Sequence, residues 1–212
     1  MLLTGSVAAI GAQYDWYPEQ KIAAALALIE ASGDAAHFGV MANSMRTNTD
    51  PGAEGKSAAC RDARKNAADQ IASTWRDASV MSEIRIYITR FSIDEMNRLT
   101  KFFQSPPGKH FRSEITRAAE ADPQRMPSLL YAPNGRDTLV GGKKLNGPDY
   151  LQAAIDALSV DDGKVTEDFF QTELGQKFLQ EIMVELERIS FDDIGNTFRG
   201  VMFQPAILEA CK

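Results

Sequence analysis

The stretch FFQSPPGKHF at 102–111 is repeated in large part by FFQTELGQKF at 169–178. The copies are offset by 67 residues, the difference between positions 102 and 169, and seven of the fourteen paired positions from there onward are identical. In the first copy Ser105 is placed as a helix N-cap and Pro106 as the first helical residue, where its missing N–H costs nothing. Thr172 takes the cap position in the second copy. The repeated phrase therefore predicts a helix, a sharp break and a second helix, twice in one chain.

Apolar residues recur at helical spacing along most of the chain, and Ser92 and Glu95 form a capping box that begins a helix at Ile93. Only the stretch from Ile84 to Ile88 also alternates as a strand would. Because the same stretch fits helical spacing and has no convincing second strand to pair with, we interpret it as helix. We expect an all-α helical bundle with two related helix-break-helix units.

A turn-rich segment at 132–149 is the best boundary in the chain, either as a linker or as a long surface loop. Within it, TLVGGKKL (138–145) could close a small hairpin. We expect an N-terminal helical half at 14–131 with the first motif and a C-terminal half at 150–212 with the second, packed as one body. Residues 1–13 read as a signal-peptide remnant without its charged n-region, or as a frayed tail.

Composition excludes several classes of partner. The chain has 212 residues and a net charge of −6, which argues against a nucleic-acid partner, because such a partner requires a basic face. No apolar run approaches the roughly 20 residues of a membrane-spanning helix. We find no catalytic, cofactor-binding or metal-binding motif, and neither histidine, His37 or His110, has a nucleophile or an orienting acid nearby in sequence. We therefore assign no catalytic residue, cofactor or metal, and favour a protein that is not an enzyme.

The two cysteines, Cys60 and Cys211, lack the spacing of a zinc site. In an exported protein they would form one disulfide between the early helices and the C-terminus, and in the cytosol they would be buried thiols. Together with the N-terminal stretch, they favour export to the periplasm or another oxidising compartment, with a cytoplasmic location as the alternative.

The run from Phe91 to His110 resembles the centre of a bacterial envelope family of unassigned function, whose pattern is F-x-x-x-E-L-x-x-L-x-x-F-Y-x-S-P-x-G-x-K. Phe103 stands where the pattern has Tyr, and His110 falls where Lys is expected. The second copy keeps Lys177 but loses the proline. The resemblance covers about 79–121 and implies an all-helical periplasmic domain with no established activity or cofactor. We interpret the motif residues as structural: Phe91, Glu95, Leu99, Phe102, Phe103, Ser105, Pro106, Gly108, Phe111, Phe169, Phe170, Thr172, Gly175 and Phe178.

The motif glycines, Gly108 and Gly175, leave two interpretations open. Their amides lie at helix N-termini and could bind an anion, or a side chain there would collide with an adjacent helix, which we favour.

For function we weigh three hypotheses. The first is a non-enzymatic periplasmic protein that binds or scaffolds a peptide, a lipid or a partner helix in the cell envelope. The second is a structural protein that self-associates as a homo-oligomer. The third is a hydrolase whose site is assembled from residues distant in sequence.

Overall fold

The computed structural model describes residues 16–34, 39, 42–43, 56–121, 137–140, 143–146, 149–184, 200–201 and 204–211. The predicted signal-peptide remnant at 1–13 and His37 lie outside these ranges. The main helices are α1 (Glu19–Ser32), α2 (Ala58–Arg90), α3 (Ile93–Gln104), α4 (Pro106–Ala121), α5 (Asp149–Asp156), α6 (Val160–Phe170), α7 (Glu173–Phe178) and α8 (Pro205–Ala210). A π-helical segment, Leu179–Val184, continues α7.

The fold is all-α, as the helical spacing predicts. Two short strands, β1 (Asp137–Val140) and β2 (Lys143–Asn146), pair antiparallel with Val140 opposite Lys143. This hairpin lies where the turn signals of TLVGGKKL predict one. In the described part of the chain no helix is both long enough and apolar enough to cross a membrane.

Helix α2 has 33 residues and is therefore about 50 Å long. It begins at the Ser57 cap, whose hydroxyl accepts from the amide of Cys60 at 3.1 Å, and ends at Phe91, the first extended residue. The ambiguous stretch Ile84–Ile88 is helical and buried at 84, 86, 87 and 88, so the helix interpretation is confirmed. A helix satisfies its backbone hydrogen bonds internally, whereas a strand there would have needed a partner.

Each copy of the repeated phrase forms a helix, a break and a second helix. We call α3 with α4 the first motif unit, and α6 with α7 and the π-helical segment the second motif unit. The main apolar core joins α1 and the C-terminal part of α2 to both units. The two halves of the chain therefore share one core. Whether the two units descend from one duplicated segment stays a prediction.

A second, smaller apolar cluster lies apart from the main core and contains Ala67 and Ile71 of α2 with Val201 and Ile207. Beside it, Cys60 and Cys211 form a disulfide, with a Cα–Cα distance of 4.6 Å and 151 residues between them in sequence. Since Cys60 begins α2 and Cys211 follows α8, the bond ties the C-terminal helix to the N-terminal end of α2.

Candidate functional site: the interface between the motif units

The two breaks have the same local geometry. The hydroxyl of Ser105 accepts from the amide of Gly108 at 3.3 Å and donates to the carbonyl of Phe102 at 2.6 Å. The hydroxyl of Thr172 accepts from Gly175 at 3.0 Å and donates to the carbonyl of Phe169 at 2.7 Å. Each hydroxyl thus ends one helix and begins the next, which explains why Ser and Thr are interchangeable at this position.

The motif glycines are explained by contact within one unit. A β-carbon on Gly108 would overlap the carbonyl oxygen of Phe102 and lie 2.8 Å from the Cα of Phe103. A β-carbon on Gly175 would overlap the carbonyl oxygen of Phe169 in the same way. The close approach is therefore to the backbone of the preceding helix, which favours the steric interpretation over anion binding.

The two units meet through equivalent aromatic residues. Phe102 and Phe169, which are paired by the offset of 67, stack with ring centroids 3.7 Å apart and planes inclined by 3°. Each unit thus presents the same ring of the repeated phrase to the other at this contact.

The flanking rings obey the same relation. Phe103 packs on Phe178 with centroids 5.3 Å apart, and Phe111 packs on Phe170 at 5.1 Å. By the offset of 67, Phe103 is equivalent to Phe170 and Phe111 to Phe178. The two pairs are therefore the same contact, made once in each direction. Aromatic rings in tilted contact contribute about 0.5–1.5 kcal/mol per pair beyond the burial of their area.

A carboxylate at the start of α3 is bound from both units. The Glu95 Oε2 accepts from the amide of Ser92 at 2.7 Å, which completes the predicted capping box. Its Oε1 accepts from Lys177 Nζ of the second unit at 2.7 Å, and the same ammonium lies 4.8 Å from the ring centroid of Phe91. Partial burial alone raises the pKa of Glu95, but the hydrogen bonds from Lys177 and Ser92 outweigh it and lower the pKa below its ordinary value of 4.5.

The equivalent positions carry an equivalent pair. Ser159 caps α6 and accepts from the amide of Asp162 at 3.2 Å, as Ser92 does for Glu95. The carboxylate of Asp162 lies 2.6 Å from Nδ1 of His110 in the first unit. The hydrogen bond from His110 lowers the pKa of Asp162 below its ordinary value of 3.8. Glu95 with Lys177 and Asp162 with His110 are therefore two versions of one contact, each joining a helix-capping acid to a base of the opposite unit.

These groups do not form a hydrolytic triad. In a serine hydrolase the imidazole stands between the hydroxyl and the carboxylate. Here the carboxylate of Asp162 stands between Ser159 and His110, and its contact with Ser159 belongs to the cap of α6. Across the described ranges, no group of three or more His, Cys, Asp or Glu side chains is placed to hold a metal ion. The arrangement is suited to fixing the orientation of two helix pairs.

The structure brings the predicted motif residues together at this interface. Ser105, Glu95 and Phe169 are half-buried, and Pro106 and Thr172 are exposed on the outer side of the breaks. The others are buried: Phe91, Leu99, Phe102, Phe103, Gly108, Phe111, Phe170, Gly175 and Phe178.

The sequence analysis missed two residues of this interface, Asp162 and the α6 cap Ser159, and one pairing, that of Lys177 with Glu95. A usable signal was present. Extending the offset of 67 upstream pairs Ser92 with Ser159 and Glu95 with Asp162, and the same offset pairs His110 with Lys177. The first two of these pairs lie upstream of the repeated phrase, where few residues are identical between the copies, and Glu95 and Asp162 are similar rather than identical.

Comparisons with protein-family models, with curated proteins and with solved structures find no match for this chain. The resemblance to the envelope family therefore stays a prediction that rests on the motif residues.

Proposed function

We propose that this is a non-enzymatic helical protein of the periplasm or another exported compartment, which binds or scaffolds a peptide, a lipid or a partner helix. The observation that carries the proposal is the use of the motif side chains. The buried aromatic residues and the capping acids contact the opposite unit of the same chain. Because the motif side chains make contacts within the chain, a partner would have to bind to the outer surface. This supports a scaffold role.

The disulfide supports the exported location. Disulfides persist in oxidising compartments and are rare in the cytosol. The Cys60–Cys211 bond closes a loop with a sequence separation of 151 residues, and Cys60 is 1% exposed. A disulfide typically contributes about 2–4 kcal/mol, and in the chain-entropy description its contribution grows with the length of the closed loop.

Native mass spectrometry of protein purified without reductant from an exporting host tests the proposal. We expect the chain mass to be two hydrogen masses below that of the reduced chain, with an additional mass from a retained lipid or peptide. The Cys60→Ser, Cys211→Ser double variant is the matched control for the disulfide, because its mass does not change with reductant.

The outcomes separate the hypotheses. A retained lipid or peptide supports a ligand-binding scaffold and identifies the ligand class. A bare monomer at all concentrations counts against a tightly held ligand. A fully reduced chain from the exporting host would contradict the exported location.

Self-association is the second candidate, and one observation favours it. The contact between the units joins residues at equivalent positions of the repeated phrase, as at Phe102 and Phe169. The same contact formed between two chains would be an isologous interface. A bare dimer in the same spectra, with a population that rises with protein concentration, would support this candidate over ligand binding.

A further inference from the structure

A carboxyl group is buried in the part of α2 that packs on α1. Glu83 is 0% exposed, and the hydroxyl of Tyr87, one turn further along α2, donates to its Oε1 at 2.8 Å. Within the described residues no group other than a second acid is placed to bond its second oxygen, Oε2, so that oxygen receives no hydrogen bond while both acids are ionised. A charged carboxylate with a bare oxygen in this environment is strongly disfavoured, because burial removes the water that would solvate it.

The group that faces Glu83 is another acid. Asp34 follows Gly33, the left-handed residue with φ 76° that ends α1, and its carboxyl group lies within hydrogen-bonding reach of Glu83. Its Oδ2, like the Oε2 of Glu83, receives no hydrogen bond from a donor group in the described part of the chain. Two carboxylates can only accept hydrogen bonds, so the contact requires one proton between them.

The charged and titratable groups around this pair come from three elements. Tyr87 of α2 binds Glu83, and its own environment also includes Asp34 and Ser32 at the end of α1. Arg112 of α4 donates to the carbonyl of Ala31 at 2.6 Å and contacts Gly33. Its charge is thus directed to the C-terminal carbonyls of α1. The groups that act on the Glu83 carboxyl are Asp34 and Tyr87.

We propose that a proton shared by Glu83 and Asp34 latches the C-terminal end of α1 to α2, and that loss of this proton as the pH rises releases that end of α1 while the motif units stay folded. The released state carries two carboxylates that repel each other, and separation of Asp34 lets both regain water. Gly33 adjoins Asp34 and is the residue at which the backbone already leaves the helix.

The direction of the pH dependence follows from the acid. Burial raises the pKa of Glu83 well above its ordinary value of 4.5, and the negative charge of Asp34 adds to this effect, whereas the hydrogen bond from Tyr87 opposes it. The folded protein therefore holds the proton more tightly than the unfolded chain does. The stabilisation that the shared proton gives to the contact between α1 and α2 is present in full below about pH 4.5. It is lost as the pH rises through the raised pKa of Glu83.

Hydrogen exchange of the full-length chain at pH 5 and pH 9 tests the latch. The Glu83→Gln variant keeps the side-chain shape, donates from its amide to Asp34 and accepts from Tyr87 at either pH. Comparing it with the parent at the same pH cancels the intrinsic pH dependence of exchange. Glu30→Gln, which removes an exposed carboxylate from α1, is the matched control.

At pH 5 we expect the same protection of the amides from Ile29 to Asp34 in all three proteins. At pH 9 these amides should exchange at least tenfold faster in the parent and in Glu30→Gln than in Glu83→Gln, while α3 stays protected. Equal protection of the parent and Glu83→Gln at pH 9 overturns the proposal, as does parallel loss of protection in α3.

A carbon-13 titration of the Glu83 carboxyl group in the parent gives a second test, which does not depend on a variant folding. A midpoint near 4.5 overturns the proposal. A bound cation in place of the proton predicts the opposite pH dependence, since metal ligands must be deprotonated. Protection at pH 9 that appears with added calcium and disappears with chelator would therefore also overturn it.

Discussion

The rings of Phe102 and Phe169 stack with their centroids 3.7 Å apart, although 67 residues separate them in sequence (169 − 102). The two residues are equivalent in the repeated phrase, and each lies in the last turns of the first helix of its unit. The contact thus joins the two units through the same position of the repeated phrase.

We predict that this stack is energetically coupled. Phe102→Ala should lower the free energy of unfolding by about 3 kcal/mol, because it removes a buried ring. In a double-mutant cycle with Phe169→Ala, the coupling energy should be about 1 kcal/mol. Urea denaturation of the four proteins measures it. The control is Val165→Ala, at a side chain that is 49% exposed, with an expected effect below about 0.5 kcal/mol. Strict additivity of the two Phe substitutions would mean that the stack contributes no specific energy.

The motif glycines should tolerate no side chain. In Gly108→Ala the new β-carbon would lie 2.8 Å from the Cα of Phe103, and in Gly175→Ala 2.7 Å from that of Phe170. The obstructing atoms belong to backbone and cannot rotate away, so each substitution should cost about 2 kcal/mol or more.

Thermal denaturation of these variants beside Gly200→Ala provides the comparison. A β-carbon at Gly200 meets no described atom within 4 Å, so this control should melt within a few degrees of the parent. Parent-like melting of Gly108→Ala would show that the break can open without loss of stability.

The Glu95–Lys177 pair should stabilise the protein at neutral pH and lose its effect in acid. The pKa of Glu95 is lowered in the folded protein, so its contribution is present above about 4.5 and is lost as the pH falls through the lowered value. Glu95→Gln should reduce the free energy of unfolding by about 1 kcal/mol at pH 7, a modest value because both side chains are partly exposed.

The difference between parent and Glu95→Gln should shrink steadily below about pH 4.5, as measured by urea denaturation. Asp77→Asn is the control, since Asp77 pairs with Arg76 at an exposed site and should have little effect at any pH. A difference that is constant from pH 7 into acid would exclude the ion pair as its source.

One buried hydroxyl should be dispensable. Thr166 is 0% exposed, and its Oγ1 has no hydrogen-bond partner in the described part of the chain. By the offset of 67, Thr166 is equivalent in sequence to Leu99, which is equally buried in the first unit. Thr166→Val should raise the free energy of unfolding by about 1 kcal/mol, because it removes an unsatisfied polar group while keeping the β-branched shape.

Thr89→Val is the matched control for this substitution. Thr89 is exposed in a helix and its hydroxyl donates to the carbonyl of Arg85 at 2.7 Å, so the same change there removes a satisfied group and should give no gain. If Thr166→Val destabilises the protein, the hydroxyl has a role in the core that the hydrogen bonds do not reveal.

The sequence by itself determined the local architecture: which residues are helical, where the chain breaks and why Ser105 and Thr172 stand at the breaks. Caps and breaks are decided within one turn of the chain, by the residues that supply or lack a backbone hydrogen bond. Helical spacing likewise resolved Ile84–Ile88, because a strand without a partner leaves its backbone unsatisfied.

Only the tertiary structure decided which distant residues meet. The stack of Phe102 on Phe169, the pairing of Glu95 with Lys177, and the contact of Glu83 with Asp34 each join separate helices. The sequence does not show whether a carboxyl group faces water, an ammonium group or another acid. Its charge state and its role depend on which neighbours and how much water the packing of the helices leaves around it.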